Sequence, residues 1–435
     1  MNTPDNKPAA RVQRPERRQV MIRTSSLDEL VPDDHRVRDV WAYVEALDLG
    51  PLYESIRAVE GSSGRDAVDP RILVALWLFA TIEAISSARQ LARSCERDII
   101  YQWICGDVGV NHRLLSEFRT AHGDFFDRLL TNSIATLLHQ QIVTLETVSQ
   151  DGMRVRASAG SSSLRRKKSL RECQAEAAEQ VAKLRDESDS NEQTDASNAR
   201  KKAARERAVR ERAARIEQAM KELEELEAQK ESRKKGSGED ARCSTTDPEA
   251  RTMKMANGGF RPAYNVQFVT DAKSRMITLV AVTNNGSDGG QLAPMHASLI
   301  ERYGVTPADY LVDGGFTTHE DITQVEHRKT RVVGPIPKAS KMEANGTNPH
   351  DRQPRDSDEM FAFRQRMATP DAKELYKQRS GLAELPNAEC RNRGLRQFRV
   401  RGKAKVKAAT LWYVLAFNLM RMLNLNCLAR VVRPT

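Results

Sequence analysis

AYNVQFVTDAKSRMITLVAVTN, residues 263–284, holds two runs rich in Val, Tyr, Phe, Ile and Thr on either side of a polar TDAKS. β-Branched and aromatic runs flanking a short polar turn predict a β-hairpin. Backward from it, TVSQDGMRVRA (147–157) reads as a strand of the same kind, with Val148, Met153 and Val155 among small and polar residues. Forward from it, Gln291 to Tyr303 has helical spacing, and ADYLVDGGF (308–316) holds a short buried-type strand at Leu311 and Val312. Strand, hairpin, helix, strand and helix in that order predict an α/β domain with a mixed sheet.

Between the first strand and the hairpin the text changes abruptly. Residues 165–240 are nearly free of aromatics and dense in Lys, Arg, Glu and Ala. Val209, Ala213, Ile216, Met220 and Leu223 step by 4-3-4-3, a short heptad seam, and DESDSNEQTDAS (186–197) is polar enough to be the tip between two antiparallel helices. Strands of one kind on both sides make this segment an insertion into the sheet's connection. The helix after the tip begins basic and ends acidic, opposite to what its dipole favours, so its charges serve pairing with the partner helix or contact with DNA or a second subunit. Upstream, residues 26–142 read as helical: SLDEL opens with a Ser cap, and DPRILVALWLFATIEAI has Pro in its first turn and a thick apolar stripe. That stripe suits ordinary core or a helix-turn-helix DNA reader equally. The expected division is an arm at 1–25, helices at 26–142, sheet segments at 143–164 and 241–425, the insertion at 165–240 and a tail at 426–435.

The net charge of +10 is concentrated. From Glu389 to Thr435 there are eleven Lys or Arg and one acid, so the rest of the chain is close to neutral. A focused basic excess is the signature of a polyanion-binding surface, although it also suits a solvated basic face. Six cysteines form no C-x-x-C pair, and eight histidines show no ligand spacing, which argues against structural zinc and for a reducing cytoplasm. No apolar run is long enough to span a bilayer, and no signal-peptide pattern opens the chain.

Asp151 stands inside a strand, where charge is depleted and needs a partner. Asp313 ends the later strand, before Gly314 and Gly315, at the kind of sheet end where α/β folds hold ligands. Taken alone, D-G at 151–152 and D-G-G at 313–315 also suit plain turns. Downstream lies ELYKQRSGLAELPNAECRNRGLRQFRVRGKAKVK (374–407), followed by the apolar helix ATLWYVLAFNLMRML (409–423), where Trp412 reads as core.

With that third block the sequence resembles the insertion-sequence DDE transposases, which have an RNase H-like core. In that family an Asp lies on the first strand, a D-x-G-[FY] block on the fourth, and a Y-x2-R-x3-E-x6-K signature on the next helix. The corresponding residues here are Asp151, then Asp313-Gly314-Gly315-Phe316, then Tyr376, Arg379, Glu384 and Arg391. One extra residue separates Arg379 from Glu384, and Arg391 stands where Lys is usual. Glu374 and Glu389 are the competing third acids.

The resemblance implies a catalytic triad of Asp151, Asp313 and Glu384 that holds two Mg²⁺ ions, with Mn²⁺ as a substitute. Three hard carboxylates from distant parts of a chain suit such a site, because phosphodiester cleavage needs one oxygen activated and another neutralised. DNA contacts are expected from Tyr376, Arg379, Arg391 and Arg393. Arg399, Arg401, Lys403, Lys405 and Lys407 alternate with small or apolar residues, and an extended backbone would put all five on one side as a phosphate track. The implied protein is cytoplasmic and nucleoid-associated, binds double-stranded DNA through its helical N-terminal domain, and acts as a homodimer or larger assembly. A DNA-binding protein without turnover and a Mg²⁺ nuclease that does not rejoin DNA are the alternatives.

Overall fold

The computed structural model describes residues 24–56, 58, 66–189, 196–232 and 237–429, with side chains described for all of these except 185–189 and 196–200. Most of the expected N-terminal arm, the tip of the charged hairpin and the end of the tail lie outside the described residues. Seven helices come first: α1 (Arg36–Glu45), α2 (Gly50–Glu54), α3 (Pro70–Ile82), α4 (Ala88–Arg97), α5 (Ile99–Cys105), α6 (His112–Ala121) and α7 (Gly123–His139). In α3, Asp69 accepts from the Arg71 amide as N-cap, Pro70 opens the first turn, and every residue but Arg71 is buried.

SLDEL does not start a helix. Ser26 and Glu29 do make the reciprocal capping bonds, Glu29 N to Ser26 Oγ at 3.3 Å and Ser26 N to Glu29 Oε2 at 3.0 Å. A single turn follows, because Pro32 has no amide hydrogen to continue the ladder, and α1 begins only at Arg36.

The strands are β1 (Thr147–Arg156), β2 (Leu164–Arg165), β3 (Cys243–Ser244), β4 (Arg251–Lys254), β5 (Phe260–Asp271), β6 (Ile277–Thr283), β7 (Asp309–Leu311) and β8 (Arg331–Val333). The expected hairpin is β5 and β6. The main sheet runs β4-β5-β1-β7-β8, with β6 also on β5 beside β4. β1 is antiparallel to β5 and parallel to β7, and β7 is parallel to β8. A three-stranded antiparallel half continued by two parallel strands is the RNase H-like arrangement, so the fold is a mixed α/β core with an N-terminal helical domain.

The charged insertion is a helical hairpin, α8 (Lys167–Asp189) and α9 (Ala196–Glu231), entered and left through the small β2–β3 ribbon. Ile216, Ala219 and Leu223 of α9 are buried against Leu170 and Ala177 of α8, with Ala213 and Met220 half-buried beside them, close to the heptad reading. This cluster is separate from the main core.

The remaining helices are α10 (Leu292–Tyr303), α11 (His319–His327), α12 (Ala339–Ala344), α13 (Asp358–Ala368), α14 (Pro370–Asn392) and α15 (Lys403–Asn424). α15 lies between the N-terminal helices and the sheet, touching α3, α6, α7 and β6. Trp412 is buried, as expected: its Nε1 donates to Arg119 O at 3.0 Å, and its ring centroid is 4.3 Å from that of Phe126.

The helix starts earlier than the apolar run suggested, and this breaks the expected phosphate track. Gly402, at φ 84°, turns the chain, and the Lys403–Ala409 stretch continues as helix. Only Arg399 and Arg401 are on non-helical backbone. On the helix Lys403, Lys405 and Lys407 step by about 200°, so they do not share one side. Lys407 instead pairs with Asp127 of α7 at 2.7 Å.

Candidate active site

Strand register brings two carboxylates to one level. β1 and β7 are parallel, with Ser149 opposite Leu311. Asp151 and Asp313 each lie two residues further on, Asp151 still within β1 and Asp313 just past the end of β7. Because β7 stops there, the edge of β1 at Asp151 opens toward the chain that turns through Gly314 and Gly315. Gly315 N donates to Asp313 Oδ1 at 2.8 Å, and Gly152 N donates to Asp151 Oδ1 at 3.0 Å.

α14 packs across β1 and β5 and supplies the partners. Arg379 Nη2 is 3.0 Å from Asp151 Oδ1 and 3.6 Å from Asp313 Oδ2, so one guanidinium bridges the two aspartates. Two turns along the same helix face, Asn387 Nδ2 donates to Asp151 Oδ2 at 2.7 Å. Asn387 is 5 % exposed, and its Oδ1 has no hydrogen-bond partner among the described residues. Burial pushes the Asp151 carboxyl up to about 6; Arg379 opposes the rise, and the charges of Asp313 and Asp288 add to it.

Glu384 is not in this group. It is exposed on the neighbouring face of α14 and accepts from Ser380 Oγ at 2.9 Å. Its competitors are engaged elsewhere, Glu374 with Lys377 at 2.6 Å and Glu389 with Arg393 at 3.0 Å. As the side chains are placed, no three acidic, histidine or cysteine residues among those described are arranged to hold a metal ion. Tyr376 is half-buried beside Arg379 and Asp313; burial pushes its phenol up. Arg391 is exposed, Arg399 Nε donates to Ser86 Oγ at 3.2 Å, and Arg401, Lys403 and Lys405 are exposed.

Two residues of the site escaped the sequence reading, Asn387 and Asp288. The eight-residue step from Arg379 to Asn387, two helical turns, was a signal available in advance. Asp288 sits in NNGSDGG after β6, a loop whose approach to β1 no local pattern announces.

Two family models match the chain. The Transposase domain (DUF772) covers residues 25–121, and the Transposase DDE domain covers residues 239–419. The second contains Asp313 and Glu384, while Asp151 and the charged hairpin lie between the two matches. Comparison with curated proteins and with solved structures gives no match. No helix among the described residues is long and apolar enough to cross a membrane. The helical N-terminus matches one transposase model and every strand of the main sheet but β1 lies in the other, on an RNase H-like strand order, and the chain belongs to the DDE transposases of the insertion-sequence type.

Proposed function

We propose that the protein binds the terminal repeats of a mobile element, cuts one DNA strand there and transfers the freed end to a target. Asp151, Asp313 and Glu384 are the acids of the reaction. The observation that carries this reading is the convergence of Asp151 and Asp313, from separate strands, on a single guanidinium.

The residues fit a hard divalent cation. Asp151 and Asp313 offer hard carboxylate oxygens from two neighbouring strands, and the Arg379 guanidinium that bridges them occupies the place a cation would take once that arginine turns away. Mg²⁺ bound at such acids, or Mn²⁺ in its place, activates the attacking oxygen and neutralises the leaving one. The chain's own residues do the rest. Asn387 fixes the orientation of Asp151, and Glu384 joins by exchanging its bond to Ser380. Arg379, once released from the aspartates, turns its planar fork to a phosphate of the cut strand, with Tyr376 beside it.

A DNA path toward these groups starts on α4. Arg89, Arg93 and Arg97 recur every four residues on its exposed face, with no ion-pair partner among the described residues, while Ala88, Leu91 and Ala92 are buried. Ser86, just before α4, lines a groove of about 530 Å³ together with Ser158, Arg396 and Arg399. Arg396 and Phe398 are hydrogen-bonded through their backbones to Arg156 at the end of β1. A duplex whose phosphates follow these arginines is led from the helical domain to the acids. Two element ends held at once call for two copies of the chain.

The test is metal-dependent nicking of a labelled element end by wild type, Asp151→Asn, Asp313→Asn and Glu384→Gln. Each substitution is expected to abolish the nick while gel-shift binding survives. If Glu384→Gln still cuts, Glu374 or Glu389 is the third acid. A wild type that binds the end but never cuts favours a DNA-binding protein without turnover, and one that cuts without joining is a nuclease.

A further inference from the structure

Asp288 lies in the loop between β6 and α10, outside the three-acid pattern. Its Oδ1 accepts from the side-chain amides of Asn265 at 2.7 Å and Gln267 at 2.9 Å, two fully buried residues of β5. Its Oδ2 makes no hydrogen bond among the described residues, and Arg154 stands 3.8 Å from it. The carboxylate is therefore held by two hydrogen bonds at one oxygen, while the other has only the longer ion pair with Arg154.

Glycines beside both catalytic aspartates open onto it. A Cβ at Gly152 would meet Asp288 Oδ1 at 2.3 Å. One at Gly315 would stand 3.5 Å from Asp288 Oδ2 and 3.0 Å from Asp313 Oδ1. The Asp151-Gly152 and Asp313-Gly314-Gly315 turns thus admit a common third aspartate. A second unsatisfied oxygen points to the same spot: Asn265 is fully buried, its Oδ1 has no partner among the described residues, and that atom lies 2.9 Å from the Gly152 Cβ position. A buried carbonyl oxygen with no donor, next to a half-free carboxylate, needs a cation or an ordered water. Three aspartates face two guanidinium groups, Arg379 and Arg154, so the local charge leaves room for a cation.

We infer that Asp288 is a fourth carboxylate of the cation-binding centre, taking a hard divalent cation of the Mg²⁺ or Mn²⁺ type. The inference rests on the metal-dependent reading of Asp151 and Asp313. Its test is Mn²⁺ affinity of the full chain without DNA, followed by electron paramagnetic resonance. Asp288→Asn keeps the side chain's shape and an acceptor for both amides, and removes only the charge. It is expected to weaken Mn²⁺ binding about tenfold or more, with an unchanged circular dichroism spectrum. Unchanged affinity, in a comparison where Asp151→Asn loses it, overturns the inference and leaves the metal reading standing. Wild-type affinity in Asp151→Asn and Asp313→Asn as well sinks the metal reading, and this inference with it. The unmodified chain gives a second readout should the variant fold poorly. Fe²⁺ with ascorbate and peroxide cuts backbone beside a bound ion, and cuts beside Asp288, Asp151 and Asp313 are expected. Cuts beside the latter two alone overturn the assignment of Asp288.

Discussion

A Cβ at position 152 would lie 2.3 Å from Asp288 Oδ1 and 2.6 Å from Gln267 Nε2, so Gly152→Ala has to displace a carboxylate or a buried amide. The expected cost is about 1–3 kcal/mol, the range for overpacking a tight site. Thermal denaturation checks it, and an unchanged midpoint would mean that the β1 backbone yields instead. At this scale the sequence was readable where a local oddity marked a residue. An acid inside a strand and an acid before two glycines drew attention to Asp151 and Asp313, and the register of β1 with β7 joins them. Asn387 shows no local oddity of that kind; only its two-turn spacing from Arg379 hints at it, and the bond that matters crosses 236 positions to Asp151. Glu384 matched a family signature, but its side chain is bonded within its own helix, which no spacing foretells.

Among the elements, α10 contains a pH-sensitive contact. His296 is fully buried, and its Nε2 meets Thr330 Oγ1 at 2.7 Å. Because that hydroxyl donates to Pro307 O, the imidazole Nε2 must carry the hydrogen. Burial pushes the His296 ring down to about 4, and the charge of Arg328 acts in the same direction. The unfolded chain takes up this proton near pH ~6.5, the folded one only near 4. Stability from this group is therefore present above that range and is lost as the pH falls from 6.5 toward 4. Thermal midpoints at several pH values should fall less steeply with acid in His296→Gln than in wild type. For α4, changing Arg89, Arg93 and Arg97 together to Gln should lower the salt slope of duplex binding by roughly 0.9 for each phosphate that is no longer neutralised. An unchanged slope in fluorescence anisotropy places the DNA elsewhere. Helices were legible where caps and stripes agreed, as in α3. They were misjudged where one residue overruled the pattern: Pro32 stops the SLDEL turn, and Gly402 starts α15 inside a stretch that alternation read as extended.

At the scale of the whole molecule, the charged hairpin and the body around α15 are, among the described residues, hydrophobic units of different kinds. The hairpin of α8 and α9 has a small cluster of its own, joined to the body through contacts such as Arg251 with Glu222. Replacing 167–231 by a short Gly-Ser link should move the thermal midpoint of the remainder by only about 1–2 °C, as a destabilisation of about 1 kcal/mol would. A collapse of the midpoint would show that the hairpin braces the sheet. By contrast, the N-terminal helices and the sheet share one core around α15, a union that composition, which suggested separable domains, did not disclose. Trp412 closes onto Arg119 across 293 residues of chain. During synthesis, the first helices therefore wait for nearly the whole polypeptide before their last wall arrives, and the sheet waits for the same segment. A message cut short before α15 yields neither a stable helical N-terminal unit nor a stable sheet, so a damaged copy of the gene would make protein for the cell's proteases.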